Sequence, residues 1–242
     1  KDLLFDDAIR KAFRVVAQMM AESGKRFEQD DIYAIIPPEG GWFSNSGNIR
    51  KGLLEGLCLM ANSNPPKNSS SGLVEQQAKL LVRDLFRSGS WKTLAGLGDL
   101  LPMLAELAPD MYLHELEEFS IQRKQDLKRL FPKKEKQSFL DENYITQVLW
   151  SLETLAWVPE YLIPSIRCLG TLEAVGYEKT NYTNTPLNSI ATVLNAFNPQ
   201  TYASVEQRKS AIRTLMNDSR ELCWSVIRTL LPESSFLVME TP

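Results

Sequence analysis

Apolar residues recur at three- and four-residue steps through most of this 242-residue sequence. A side-chain period near 3.6 requires the α-helix, because only there do positions i, i+3, i+4 and i+7 share one face. From Asp6 to Met20 the stripe is Ala8, Ile9, Phe13, Val16, Ala17 and Met20. A second predicted helix is capped by Asn48 and runs to about Ala61, with Ile49, Leu53, Leu57 and Met60 inward. Its Gly52 and Gly56, four residues apart, suggest a close helix approach. Leu73 to Phe86 turns Val74, Ala78, Leu81, Val82 and Leu85 inward and Gln76, Lys79 and Arg83 outward. Shorter helices are expected over Trp91 to Ala108, with Pro102 in a first turn where its missing N–H costs nothing, and over Met111 to Phe119.

The second half carries the same period. Tyr144 to Ala156 aligns Ile145, Val148, Leu149, Leu152 and Leu155, and Pro159 marks a break before a partner helix from about Glu160 to Val175. A helix from Pro186 through Phe197 follows. Ser204 and Gln207 form a capping box for the helix carrying Val205, Ile212 and Leu215, and Asp218 with Glu221 repeats a start signal. The last helix holds Leu222, Val226, Ile227, Leu230 and Leu231 and stops before Pro232. Nothing alternates with the period of two that a strand needs, and no Asn-Gly or Asp-Gly turn joins two such runs. The expectation is an all-α chain of ten to twelve helices in successive antiparallel pairs. These form either an irregular, HEAT-like α-solenoid, the preferred arrangement, or a compact helical bundle. Linker candidates are Asn62 to Gly72 and Gln122 to Gln137, yet composition does not change across either, so residues 1–242 read as one domain.

Hydrophobic side chains make up 43% and charged ones 24% of the chain, enough apolar material for a core without metal or disulfide. No run reaches the roughly 18 apolar residues of a membrane span, and Lys1 to Asp7 does not form a signal peptide, so a cytoplasmic location is expected. Cys58, Cys168 and Cys223 lie far apart within apolar helical patterns and are expected to be buried, reduced thiols. A net charge of −3 argues against a general polyanion binder.

Chemical motifs are missing: no phosphate loop of the G-x-x-x-x-G-K-[ST] type, no H-E-x-x-H helix, no nucleophile elbow and no paired cysteines at zinc spacing. No catalytic, cofactor-binding or metal-binding residue is therefore assigned, and no cofactor is expected. His114 is the single histidine and is expected to face solvent beside Glu115, Glu117 and Glu118. Asp30-Asp31 and Asp141-Glu142 read as helix-start carboxylates. The glycine-bearing loop from Glu39 to Asn48 reads as an interhelical connection pinned by Trp42 and Phe43; Trp91, Tyr202 and Trp224 are placed in the core by default, with an interface as the alternative. A basic cluster, Arg123, Lys124, Lys128, Arg129, Lys133, Lys134 and Lys136, offers contacts to nucleic-acid phosphates, diluted by Asp126 and Glu135.

Ile49 to Leu57, Leu100 to Pro109, Leu149 to Trp157 with Pro159 to Leu162, Asn184 to Ile190, Asn198 to Thr201, and Arg208 together resemble the C-terminal helical regions of large bacterial STAND-type NTPases, a class that includes antiphage sensors. The resemblance spans most of the chain but rests on packing and turn residues. It implies a helical scaffold or ligand-recognition arm whose nucleotide-binding core and effector lie elsewhere in the polypeptide. A start at Lys1 that leads straight into an amphipathic pattern fits a part cut from a larger protein. The expected function is non-enzymatic binding of a protein partner, a phage component or another domain of the parent, with no membrane partner. A nucleic-acid-binding helical module using residues 123–136 is the alternative. An enzyme, third, requires polar side chains converging in a deep pocket near His114 or Gly40.

Overall fold

The computed structural model describes residues 2–23, 46–63, 70, 72–131, 143–177 and 182–231. Among the described residues every regular element is helical, with twelve α-helices and no strand. They are α1 (Asp2–Ala21), α2 (Gly47–Asn62), α3 (Leu73–Ser88), α4 (Trp91–Leu97), α5 (Leu101–Leu107), α6 (Pro109–Gln122), α7 (Lys124–Lys128), α8 (Ile145–Ala156), α9 (Leu162–Ala174), α10 (Pro186–Val193), α11 (Val205–Asp218) and α12 (Arg220–Leu230). A 3-10 turn, Gly98–Leu100, joins α4 to α5. No helix among the described residues is long and apolar enough to cross a membrane.

Two series of contacts organise these helices. In one, α1 packs on α3, α3 on α6, α6 on α9 and α9 on α11; in the other, α2 packs on α5, α5 on α8, α8 on α10 and α10 on α12. Cross-contacts between the series include α1 with α2, α8 with α9, α9 with α10 and α11 with α12. A single hydrophobic core runs between them, from Ile9 and Phe13 in α1 to Cys223 and Val226 in α12. Where the connection is short, as between α8 and α9 or α11 and α12, consecutive helices fold back on one another.

Several local signals act as the sequence predicts. Ile9, Phe13, Val16 and Met20 are buried, as is every inward position expected of α3 and α8. Pro102 lies in the first turn of α5, and Ser204 and Gln207 close a reciprocal capping box on α11. Thr185 caps α10, and Pro186 occupies its first turn.

Other expectations are corrected. The cap of α2 is Ser46, whose hydroxyl accepts from Ile49 N–H at 3.3 Å, so Asn48 lies inside the helix. The inward face is Arg50, Leu54 and Leu57 rather than Ile49 and Leu53, which are exposed. Two apolar stripes one residue apart overlap in this helix, and α2 is rotated to bring Arg50 against Ser23, whose hydroxyl accepts from the Arg50 guanidinium. Burial draws the Arg50 pKa down, while Asp99 and Glu22 oppose that pull. Gly52 and Gly56 face open space. The close approach falls at Gly96, where an added Cβ would lie 1.7 Å from the Ser23 carbonyl oxygen. Ser219, not Asp218, caps α12, with its hydroxyl accepting from Leu222 N–H. Asp218 instead ends α11 and pairs with Arg167 of α9 at 3.3 Å. Helix α10 stops at Val193, well short of Phe197, because Asn195 turns the chain by accepting from the N–H groups of Phe197 and Asn198. Helix α6 extends beyond Met111 to Phe119 at both ends.

The described part of the presumed linker 122–137 is packed structure. Leu127, Leu130 and Phe131 are buried, Phe131 stacks on Tyr177 with centroids 4.2 Å apart, and Ile145 N–H donates to Leu130 C=O at 3.0 Å. These contacts tie the end of α7 to α8 and to the end of α9. Most of the other linker, 62–72, and the pairs Asp30-Asp31 and Asp141-Glu142 lie outside the described residues.

A partly buried acid sits where α8 meets α10. Glu153 accepts from the Ser189 hydroxyl at 2.6 Å, but burial outweighs that bond and holds its carboxyl above the ordinary 4.5. A carboxyl with a raised folded-state pKa binds its proton more tightly when folded. It therefore lowers stability as pH climbs from about 4.5 through the folded value. Glu153→Gln keeps an oxygen for Ser189 and removes the charge, so its melting temperature should exceed that of the native sequence at pH 7. The difference should close below pH 4.5. Thermal unfolding across that pH range tests this; a lower melting point at pH 7 would mean that the ionised carboxylate is stabilising.

Candidate functional site

The residues singled out for chemistry are dispersed. His114 is exposed on α6, and the three carboxylates beside it point to different partners. Glu115 is buried and accepts from Arg87 of α3, Nη2 to Oε1 at 2.7 Å and Nε to Oε2 at 3.1 Å. Glu117 pairs with Arg167 at 3.5 Å, and Glu118 accepts from the Gln122 side-chain amide. Each acid therefore ties α6 to a neighbour or to itself. No group of three or more His, Cys, Asp or Glu among the described residues is arranged to hold a metal ion. All three cysteines are free, Cys168 and Cys223 buried and Cys58 half-buried. Burial pushes the Cys58 thiol up to about 11 and the Cys168 thiol to about 12, which keeps them protonated and poorly nucleophilic at neutral pH.

Of the basic cluster, Arg123, Lys124, Lys128 and Arg129 are described, while Lys133, Lys134 and Lys136 lie outside the described residues. Arg123 donates to the Gly89 carbonyl, pairs with Asp126 at 3.4 Å and lies over the Phe119 ring. Arg129 sits over Trp91, 5.8 Å from the ring centroid. Arg123 thus serves the joint between α6, α7 and the start of α4, while Arg129 and Lys124 are exposed and Lys128 is half-buried. Residues 39–45 of the glycine loop, with Trp42 and Phe43, also lie outside the described residues.

Aromatic residues assigned to the core are found on the surface instead. Trp224 is exposed on α12, and Tyr202 is 80% exposed. The setting of Tyr202 follows from local geometry. Residues 201–204 lie outside any helix, and burial alternates along them. Thr201 and Ala203 turn inward, the Thr201 hydroxyl accepts from Ala203 N–H at 3.1 Å, and Tyr202 is left outward. Its N–H donates to the Trp157 carbonyl at 3.0 Å, and the two rings lie 5.2 Å apart, tilted by 57°. Trp157 ends α8, and Val158 beside it and Val205 at the start of α11 are exposed as well. Trp157 and Tyr202 thus form an aromatic ledge, with the exposed Val158 and Val205 close to them in sequence, anchored by that main-chain bond and by the capping box of α11. Nothing in the helical period forecasts it, because Tyr202 lies outside any helix.

Two grooves accompany the ledge. One, of about 320 Å³, runs along α3 and is lined by Glu75, Gln76, Lys79, Leu80, Arg83 and Met111. Its lysine is already paired with Glu75, and Arg83 is paired with Asp84. The other, of about 400 Å³, lies between α10 and the last turn of α12; its lining among the described residues includes Asn184, Asn188, Thr192, Asn195 and Thr229.

Comparison of the chain with family models returns no matching family, and comparisons with curated proteins and with solved structures return no match either.

Proposed function

We propose that this chain is a non-enzymatic helical scaffold that binds a protein partner, an α-solenoid arm of a larger STAND-type NTPase with a role in antiphage sensing. The carrying observation is the Trp157–Tyr202 ledge. A tyrosine 80% exposed, tilted against a tryptophan ring and tied to that residue by a main-chain bond, presents a large amphipathic surface at little entropic cost on binding. The helical-pair arrangement is supported by the two series of neighbour contacts, α1-α3-α6-α9-α11 and α2-α5-α8-α10-α12, since stacked pairs touch mainly their neighbours. The STAND assignment is supported by the resemblance of residues 49–57, 100–109, 149–162 and 184–201, and predicts an NTPase core elsewhere in the parent polypeptide. The engagement of Arg123, which donates to the Gly89 carbonyl and pairs with Asp126, favours a protein partner over nucleic acid.

A photo-crosslinking amino acid placed at position 202 tests the reading in the cells of origin. The expected result is a discrete, nuclease-resistant protein adduct. Once purified, that partner should bind the native chain about tenfold more tightly than it binds Tyr202→Ala, the loss of one aromatic anchor. Tyr202→Ala should leave stability unchanged to within about 0.5 kcal/mol, as befits an exposed side chain. A nuclease-sensitive adduct, or an adduct whose partner ignores Tyr202→Ala, would overturn the proposal.

A further inference from the structure

We infer that the Trp157–Tyr202 ledge takes an arginine of its protein partner, with the guanidinium laid on the Tyr202 ring and its N–H groups turned to the Glu160 carboxylate. The inference rests on the protein-binding reading above and names the chemistry of that one contact.

The first observation is the ring itself. Tyr202 is 80% exposed although its centroid lies 5.2 Å from that of Trp157. The face of an aromatic ring is the negative side of its quadrupole and holds a cation that comes within about 6 Å of the centroid. Arginine suits such a face better than lysine, because its guanidinium is planar, stacks on the ring and is weakly hydrated. The chain makes the same contact internally, with Arg123 4.9 Å from the Phe119 centroid and Arg129 5.8 Å from that of Trp91.

The second observation is the charge beside the ring. The ledge stands on residues 157–161 and 194–206, whose charged side chains are Glu160 and Glu206, both acidic. Glu206 pairs with Lys209 at 2.8 Å, and Arg208 is turned to the Asn195 carbonyl, to which it donates at 2.8 Å. Glu160 is exposed in a tight turn that begins directly after Trp157 and is closed by Tyr161 N–H donating to the Val158 carbonyl at 2.9 Å. Three residues separate Trp157 from Glu160, at most about 11 Å between Cα atoms, comparable with the combined reach of a glutamate and an arginine side chain. A guanidinium at that place stacks and donates to a carboxylate at once.

The negative field extends to the neighbouring helix start. Burial, with Asp110 of α6 and Glu160 adding to it, holds the Tyr161 phenol above its ordinary pKa, while Lys79 pulls the other way. Lys79 is itself paired with Glu75. The ring is also held in place before a ligand arrives. Tyr202 N–H donates to the Trp157 carbonyl, and Asn195 Oδ1 fixes the preceding turn by accepting from Phe197 and Asn198 N–H, so little entropy is lost on binding.

The test is to pan a phage-displayed library of random linear dodecapeptides against the whole chain and to measure the recovered peptides, synthesised and fluorescently labelled, by anisotropy. Peptides that lose binding to Tyr202→Ala should contain an arginine, and replacing it by citrulline, its neutral isostere, should weaken binding about tenfold. Tyr202→Phe should bind as the native chain does, whereas Tyr202→Leu, apolar but without a ring, should weaken binding as much as citrulline. Glu160→Gln should weaken binding and flatten its dependence on salt. Circular dichroism should show all four variants folded. Recovery of no peptide sensitive to Tyr202→Ala, tolerance of citrulline, full binding by Tyr202→Leu, or unchanged binding and salt dependence in Glu160→Gln would overturn the inference. Ledge-dependent peptides without arginine would overturn it too while leaving the protein-binding reading intact. Failure of the photo-crosslinking experiment would count against that reading and not against arginine-dependent binding at the ledge.

Discussion

Gly96→Ala should destabilise the fold by about 3 kcal/mol, whereas Gly52→Ala and Gly56→Ala should each stabilise it by roughly 0.5–1 kcal/mol. All three glycines are helical, and alanine improves helix propensity at each. The difference is what lies beyond the new methyl group. At Gly96 a Cβ would stand 1.7 Å from the Ser23 carbonyl oxygen and 2.4 Å from its carbon, main-chain atoms that cannot rotate aside. Ser23 is itself held from the other side, where its hydroxyl accepts from the buried Arg50 guanidinium. The clash can be relieved only by parting α4 from the end of α1, which would also disturb the Arg50 site on α2. At Gly52 and Gly56 nothing lies within 4 Å. Urea unfolding of the three variants checks the sign at each position; for a chain of this size the Gly96→Ala loss corresponds to about 6–12 °C in melting temperature. A neutral Gly96→Ala would mean that α1 and α4 do not meet closely there.

Tyr112→Ala should cost about 3–5 kcal/mol, the range for deleting a buried aromatic side chain. Tyr112 is fully buried on α6, with its ring edge against Phe86 of α3 at 5.3 Å between centroids and its hydroxyl 2.6 Å from Ser151 Oγ of α8. It thereby joins helices from both series of contacts. Because Ser151 Oγ also lies 2.8 Å from the Val148 carbonyl, to which it donates, the tyrosine hydroxyl is the donor between the two side chains. Tyr112→Phe leaves Ser151 with that carbonyl partner and should cost only about 1 kcal/mol. Ser151→Ala should cost more than Tyr112→Phe, because it strands the buried phenolic hydroxyl. The double variant Tyr112→Phe/Ser151→Ala should lie close to Tyr112→Phe alone. Denaturant unfolding of the four proteins measures the coupling; strict additivity would mean that the two hydroxyls do not interact.

Much of the helical framework was legible because its causes are local. The buried stripes of α1, α3 and α8, the Ser204–Gln207 box and the prolines at the starts of α5 and α10 each depend on residues within one or two turns of one another. The candidate surfaces were far less legible. Tyr202 reads as a core aromatic by type, yet its exposure follows from the inward demands of Thr201 and Ala203 and from a bond to Trp157, forty-five residues earlier in the chain.

By itself, then, the sequence determined that the chain is helical and where most of its helices begin, since a 3.6-residue period and side-chain caps act over a few residues. The tertiary structure alone decided which face of α2 is buried, which glycine is in contact and which aromatic residues stay outside. In α2 the stripes through Ile49 and Arg50 differ by a single residue, about 100° of rotation, and both satisfy the helix. The choice falls to Ser23 and Asp99, which come from other parts of the chain and lie near Arg50 only once the fold has formed.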